Sequence, residues 1–198
     1  MLDQAVVERL RTVPDLSAEF SDLLEREGYR LAVPASRLAP TDAGSRLIGP
    51  ATTVRYLPER REPGALRRED PEGRLGNKRL VEVARPGDVM VVQSPRPDVS
   101  VLGSEAADAL RRAGIVGAVV DGAVRDIEGL ARLGFPCWAS TRTPITGRWR
   151  LEAAAFGEQV AICGVQVRPG DVVIADDGGV VFVPAERFDE LARRLLER

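Results

Sequence analysis

The sequence predicts a mixed α/β domain, with parallel strand–helix crossovers in the middle and antiparallel strands at the end. Three observations carry that prediction. Between Leu80 and Ser140, short β-branched apolar runs alternate with helical stretches. After Arg148 the helices give way to short strands separated by turns. Two amphipathic segments precede both regions. A chain of 198 residues with 44% apolar and 29% charged residues fits one ordinary globular domain over 1–198.

Element by element, Leu2–Thr12 and Ser17–Glu27 read as amphipathic helices parted by Pro14, with Ser17 as N-cap and Gly28 closing the second. Ser36–Pro50 is an irregular approach to a strand at Ala51–Tyr56. Pro58–Arg74 mixes charges of both signs with Pro and Gly and has no periodicity, which describes a solvated mobile loop or, alternatively, a lid. Leu75–Ala84 reads as a helix, Pro86-Gly87-Asp88 as a turn, Val89–Gln93 as a strand and Ser94–Ser100 as a Pro-rich loop. A helix is expected over Val101–Ala113, with Ala106, Ala109, Leu110 and Ala113 on one stripe. Next come strand Ala118–Asp121, helix Ile127–Leu133 and strand Phe135–Ser140. Arg148–Ala154, Gln159–Val160 and Val165–Arg168 are short strands. A second Pro-Gly-Asp turn, Pro169–Asp171, leads into Val172–Ala175. Asp176-Asp177-Gly178-Gly179 forms a hairpin turn, better suited to that than to calcium, and returns through Val180–Val183. Helix Ala185–Leu196 closes the pattern.

Composition excludes several chemistries. There is no histidine, so Ser-His and Cys-His relays and most zinc sites are ruled out. The single lysine, Lys78, sits in a charged stretch that offers no apolar pocket for a Schiff base. Cys137 and Cys163 lie far apart in apolar runs and read as reduced core thiols. Trp138, Trp149, Phe135 and Phe182 read as core or interface residues. The arginines are interspersed with acids, which argues against nucleic-acid binding. No apolar run approaches membrane-spanning length and the first residues do not resemble a signal peptide, so cytoplasmic residence is expected.

What remains is carboxylates, arginine, backbone amides and a metal. Arg125-Asp126 follows the strand Ala118–Asp121, where open α/β sheets place ligands. Arginine grips a carboxylate with two parallel hydrogen bonds, and aspartate is a hard ligand for Mg²⁺ or Mn²⁺. The competing reading is local: Asp126 caps the helix after it and Arg125 makes a surface ion pair. Val101-Leu102-Gly103-Ser104-Glu105 is a second candidate, because Gly103 removes side-chain bulk at a helix start whose free amides can receive a carboxylate, with Ser104 as cap.

Taken together, several blocks resemble the regulator of ribonuclease activity A (RraA-like) proteins and the 4-hydroxy-4-methyl-2-oxoglutarate aldolases. They include Ser21-Asp22, Ile48–Val54, Arg85–Val89, Leu102-Gly103, Gly117–Asp126, Leu133–Pro136, Val167–Asp171, Ala175–Val180 and Val183-Pro184. The resemblance implies a three-layer β/β/α fold of the swivelling type with N-terminal helices. It also implies a homotrimer, in some members doubled to a hexamer, with sites at subunit boundaries. The aldolase members cleave 4-hydroxy-2-oxo diacids to pyruvate and decarboxylate oxaloacetate, using Mg²⁺ or Mn²⁺. Carried over, Arg125 binds the 2-oxo acid and stabilises its enolate, Asp126 ligates the metal, and amides around Leu102, Gly103, Ser104 and Glu105 hold the carboxylate.

One departure stands out: the aldolases carry an acid where this chain has Ser104. A neutral serine is no comparable base. Glu105 is adjacent and Asp108 lies one turn further on; Glu197 is a loose counterpart of an acid some aldolases bring from a neighbouring subunit. Other relatives inhibit the endoribonuclease RNase E by protein contacts, so a regulator, or another reaction on the same fold, is the alternative to a metal-dependent lyase. The Arg-Asp pair favours chemistry.

Overall fold

The computed structural model describes residues 2–71, 75 and 77–197, leaving aside the side chains of Asn77 and Lys78. The reading of Lys78 therefore falls outside the described residues, as does the end of the 58–74 segment. Two helices, α1 (Gln4–Arg11) and α2 (Leu16–Arg26), lead into the short strands β1 (Ala32–Pro34) and β2 (Ala39–Pro40). The long strand β3 (Leu47–Pro58) then joins the two parts of the sheet. Leu47–Pro50 pairs antiparallel with β11 (Val172–Asp176), and Ala51–Arg55 pairs parallel with β4 (Val89–Gln93). Its far end pairs antiparallel with β8 (Leu151–Phe156).

Beyond β4 the parallel ladder continues through β6 (Gly117–Val124) and β7 (Cys137–Arg142). On the other side, β11 pairs with β12 (Gly179–Val183), and β12 with β1. The strand alternation sorts side chains into three cores. Val89, Val91, Val119, Trp138, Val173, Ala175 and Phe182 pack between the antiparallel and parallel sheets. Met90, Val92, Ala118, Val120 and Val124 point the other way, onto α5 (Ser104–Arg112) and α6 (Ile127–Leu133). Strands covered on both faces become continuous apolar runs, which is why β4 and β6 show no polar alternation. Val172, Ile174, Val181 and Val183 face α1, α2 and α7 (Ala185–Leu196). The result is the expected β/β/α sandwich with N-terminal helices, which α7 joins on the outer antiparallel face.

Several local expectations change. The helix expected from Val101 starts only at Ser104, because Ser100–Leu102 is a strand, β5, beside β6. Strand β6 runs to Val124 rather than stopping at Asp121, so Arg125 leaves the strand directly. The 58–74 segment is no bare loop: it holds α3 (Pro63–Glu69), whose Leu66 is buried. Trp149 braces it, donating its indole N–H to the Asp70 carbonyl at 2.7 Å under the Arg67 guanidinium. Helix α4 (Asn77–Val83) is shorter than expected, and β9 (Val160–Ile162) and β10 (Val165–Val167) form a separate hairpin.

Ser17 is not the cap of α2. That position is Asp15, and Ser17 instead donates both its amide and its hydroxyl to Asp176, at 2.9 and 2.6 Å. The acidic Asp176–Gly179 stretch is the expected hairpin turn. The two Pro-Gly-Asp turns flank β3, where Thr52 donates to Asp88 at 2.5 Å and the Ala51 amide donates to the Asp171 carbonyl at 2.8 Å. Among the described residues no helix is long and apolar enough to cross a membrane.

Candidate functional site

Strands β5 and β6 end side by side, and each hands over to a helix. The Arg125 amide donates to the Leu102 carbonyl at 2.9 Å, which ties the start of one strand–helix junction to the end of the other. Asp126 occupies the position before α6 in a left-handed conformation, with φ of 57°. Asp tolerates this region better than most residues, at some cost in strain. Its side chain makes no bond to its own helix; its Oδ2 accepts from the Ser104 amide at 3.1 Å and the Ser104 hydroxyl at 3.3 Å. The reading of Asp126 as a cap for α6 is thus replaced: its carboxylate caps α5. Ser104 is also no N-cap, since that position belongs to Gly103 and Ser104 is the first residue of the helix.

Gly103 is what allows this closeness. A β-carbon there would stand 2.6 Å from Asp126 Oδ2 and 3.0 Å from Arg125 Cγ and Nε. Gly129 of α6 has the same function opposite Ser104, whose Cβ would lie 2.7 Å from an added methyl. Arg125 Nε stands 3.5 Å from Asp126 Oδ2. That oxygen therefore serves Ser104 and Arg125, while no partner of Oδ1 is found among the described residues. Both side chains keep a third or more of their surface exposed, at 33% for Arg125 and 40% for Asp126.

Leu102, Gly103, Glu105, Arg125 and Asp126 line one small recess of about 30 Å³. Ser104 touches it through Asp126. The sequence did not single out the remaining wall, which includes Leu75, Ser100, Thr146 and Arg148. Thr146 and Arg148 belong to a loop held by a pair of bonds, Ser100 N–H to Ile145 carbonyl and Gly147 N–H to Ser100 carbonyl, each 2.9 Å. Arg148 reaches Glu105 at 3.2 Å. Asp108 is elsewhere, ion-paired to Arg111 and Arg112 on the same helix. Glu197 follows α7, in the layer on the far side of the antiparallel sheet from α5.

The donor set bears on a metal. Among the described residues no three acidic or sulfur side chains converge. Asp126 Oδ1 is a single open carboxylate oxygen beside an arginine. Mg²⁺ and Mn²⁺ tolerate that arrangement, since Mg²⁺ usually keeps several waters and takes one or two carboxylates plus substrate oxygens. The residues fit such an ion, held weakly. Cysteine chemistry fits poorly. Burial pushes the Cys137 thiol up to about 12. Cys163 is raised as well, by burial and then by the neighbouring Asp121 carboxylate. Both are free and buried.

A profile of the RraA-like family, described as Aldolase/RraA, matches residues 17–182. Protein DlpA of Legionella pneumophila is 29% identical over 91% of this chain, which spans 28% of DlpA's length. A Halalkalibacterium halodurans protein whose name proposes 4-hydroxy-4-methyl-2-oxoglutarate aldolase activity is 27% identical over 95% of this chain and 80% of its own. Among solved structures, Streptomyces coelicolor RraAS2, described as an unusual member of the RNase ES inhibitor RraA family, superposes with a TM-score of 0.81. It is 31% identical over 99% of this chain and 92% of its own. Sandwich, strand–helix junctions and sequence match together place the chain in the RraA-like family.

Proposed function

We propose that this chain is a divalent-metal-dependent lyase acting on pyruvyl-type 2-oxo acids, as a 4-hydroxy-4-methyl-2-oxoglutarate aldolase or an oxaloacetate decarboxylase. The observation that carries the reading is the packing of Arg125 and Asp126 into one recess at the start of α5. Mg²⁺ or Mn²⁺, held by Asp126, would supply Lewis-acid polarisation of the 2-oxo group. Arg125 would bind the substrate and hold negative charge on the enolate oxygen as the carbon–carbon bond breaks, a preorganised electrostatic contribution. The Ser104 amide is already given to Asp126. The substrate carboxylate is left to the next amides of the turn, those of Glu105 and Ala106, where the helix dipole favours an anion. Glu105 is the acid nearest the recess and the candidate for moving a proton there in place of the family acid that Ser104 replaces. A homotrimer, or a hexamer built from it, would complete the exposed side of the recess.

The test is oxaloacetate decarboxylation by the purified chain with EDTA, then with added Mg²⁺ or Mn²⁺. Rescue above the metal-only background supports the lyase. A folded protein with no rescue defeats it. The likeness to RraAS2 favours a second reading, a regulator that binds a ribonuclease of the RNase E or RNase ES type. Inhibition of that ribonuclease by a chain without decarboxylase activity would establish it instead.

A further inference from the structure

Arg148 and Glu105 face each other across the mouth of the recess, and this pair bears on which acids the site admits. Arg148 comes from the loop that Ser100 pins, Glu105 from the first turn of α5, and their ion pair joins the two walls at 3.2 Å. The recess they flank is small, about 30 Å³, and open on one side, so a 2-oxo diacid held at Arg125 extends past it to the Arg148–Glu105 pair. Asp126 is held by the Ser104 amide and hydroxyl, whereas Glu105 is 80% exposed and its pair is the kind that water and competing anions break readily. Arg148 is the better anchored member, only 32% exposed.

The geometry points to Arg148 as the specificity-determining residue of the recess: its guanidinium leaves Glu105 for the distal carboxylate of a dicarboxylic 2-oxo acid. This rests on the 2-oxo acid reading above. With Arg125 and the amides of the first turn of α5 at the reacting end, Arg148 at the mouth offers a guanidinium to the second carboxylate, and its fork geometry favours bidentate pairing. The exchange also frees the Glu105 carboxylate only when a diacid is bound. A monoacid leaves the Glu105–Arg148 pair intact.

The test is calorimetric binding of 2-oxoglutarate and of pyruvate, each with Mn²⁺, to the full chain and to two variants. Arg148→Gln is expected to weaken 2-oxoglutarate by about 10- to 100-fold, the loss of a charge-assisted pair, and to leave pyruvate within about 3-fold. Glu105→Gln removes the competitor, so 2-oxoglutarate should tighten relative to pyruvate by about 2- to 5-fold. Equal weakening of both acids in Arg148→Gln, or no weakening of either, overturns the assignment and leaves the lyase reading standing. An unchanged ratio of the two acids in Glu105→Gln overturns the exchange. A wild-type chain that binds neither acid removes the 2-oxo acid reading and this inference with it.

Discussion

Gly103 holds open the space that Asp126 fills: a β-carbon at Gly103 would stand 2.6 Å from Asp126 Oδ2, inside any real contact. The same atom would press on Arg125 at 3.0 Å. Gly103→Ala therefore displaces both members of the pair at once while touching little of the buried core. A misplacement on the order of 1 Å costs about 100-fold in rate when positioning matters. Metal-dependent oxaloacetate decarboxylation in Gly103→Ala should fall by about that factor, with the thermal midpoint little changed. Full activity would show that the close approach is packing without consequence for the site.

Asp126 and Arg125 are separable by conservative change. Asp126→Asn keeps an oxygen to accept from Ser104 but removes the charge a cation needs. Mn²⁺ binding and turnover should drop by at least about 100-fold, while stability moves by about 0.5 kcal/mol or less. Arg125→Lys keeps the charge and loses the planar fork, so turnover should also collapse. Mn²⁺ titration sorts the two: Arg125→Lys should still bind the ion, and Asp126→Asn should not. A variant pair with the opposite pattern would exchange the two roles.

Much of the site was legible in the sequence because it is local. Arg125-Asp126 and Leu102–Glu105 each form a short run at the end of a strand, and strand β6 is long and apolar enough to be recognised. Their partnership was not legible, because it depends on β5 lying beside β6. The periodicity over residues 101–113 concealed β5 inside a helix, since a three-residue strand leaves no alternation to read. Asp126 looked like a cap for its own helix, and only the left-handed backbone turns it onto Ser104. Arg148 gave no signal at all. It is one arginine among 27, at the start of a run read as a strand that begins only at Leu151, and its place at the recess is set by two backbone bonds to Ser100.

Asp176 illustrates the same limit outside the site. The sequence marks it only as part of a hairpin turn, yet it is 7% exposed and accepts from the Ser17 amide, the Ser17 hydroxyl and the Gly178 amide. It joins α2 to the β11–β12 turn. Asp176→Ala leaves those donors without their acceptor in a buried setting. The expected cost is about 2–4 kcal/mol, several times that of an ordinary surface change. Urea unfolding measures it, and a loss below about 1 kcal/mol would mean that water reaches these groups.

The acid stability of the protein should depend on Glu27. Hydrogen bonding from the Arg187 guanidinium, with further help from Arg194, holds this carboxyl below its ordinary value of 4.5. Arg187 reaches it at 2.9 Å and Arg194 at 2.9 Å, so one residue at the end of α2 is joined to both ends of α7. A carboxyl whose pKa is lowered on folding contributes stability that is fully present above its unfolded value. That contribution is lost as pH falls through the folded value. Glu27→Gln should therefore be less stable than the wild type near pH 7. The gap should narrow as pH drops below about 4.5, because the wild type then loses the ion pairs that the variant never had. Unfolding free energies measured from pH 7 to pH 3 decide it: a gap that stays constant across that range would mean that the charge on Glu27 adds nothing to the contact between α2 and α7.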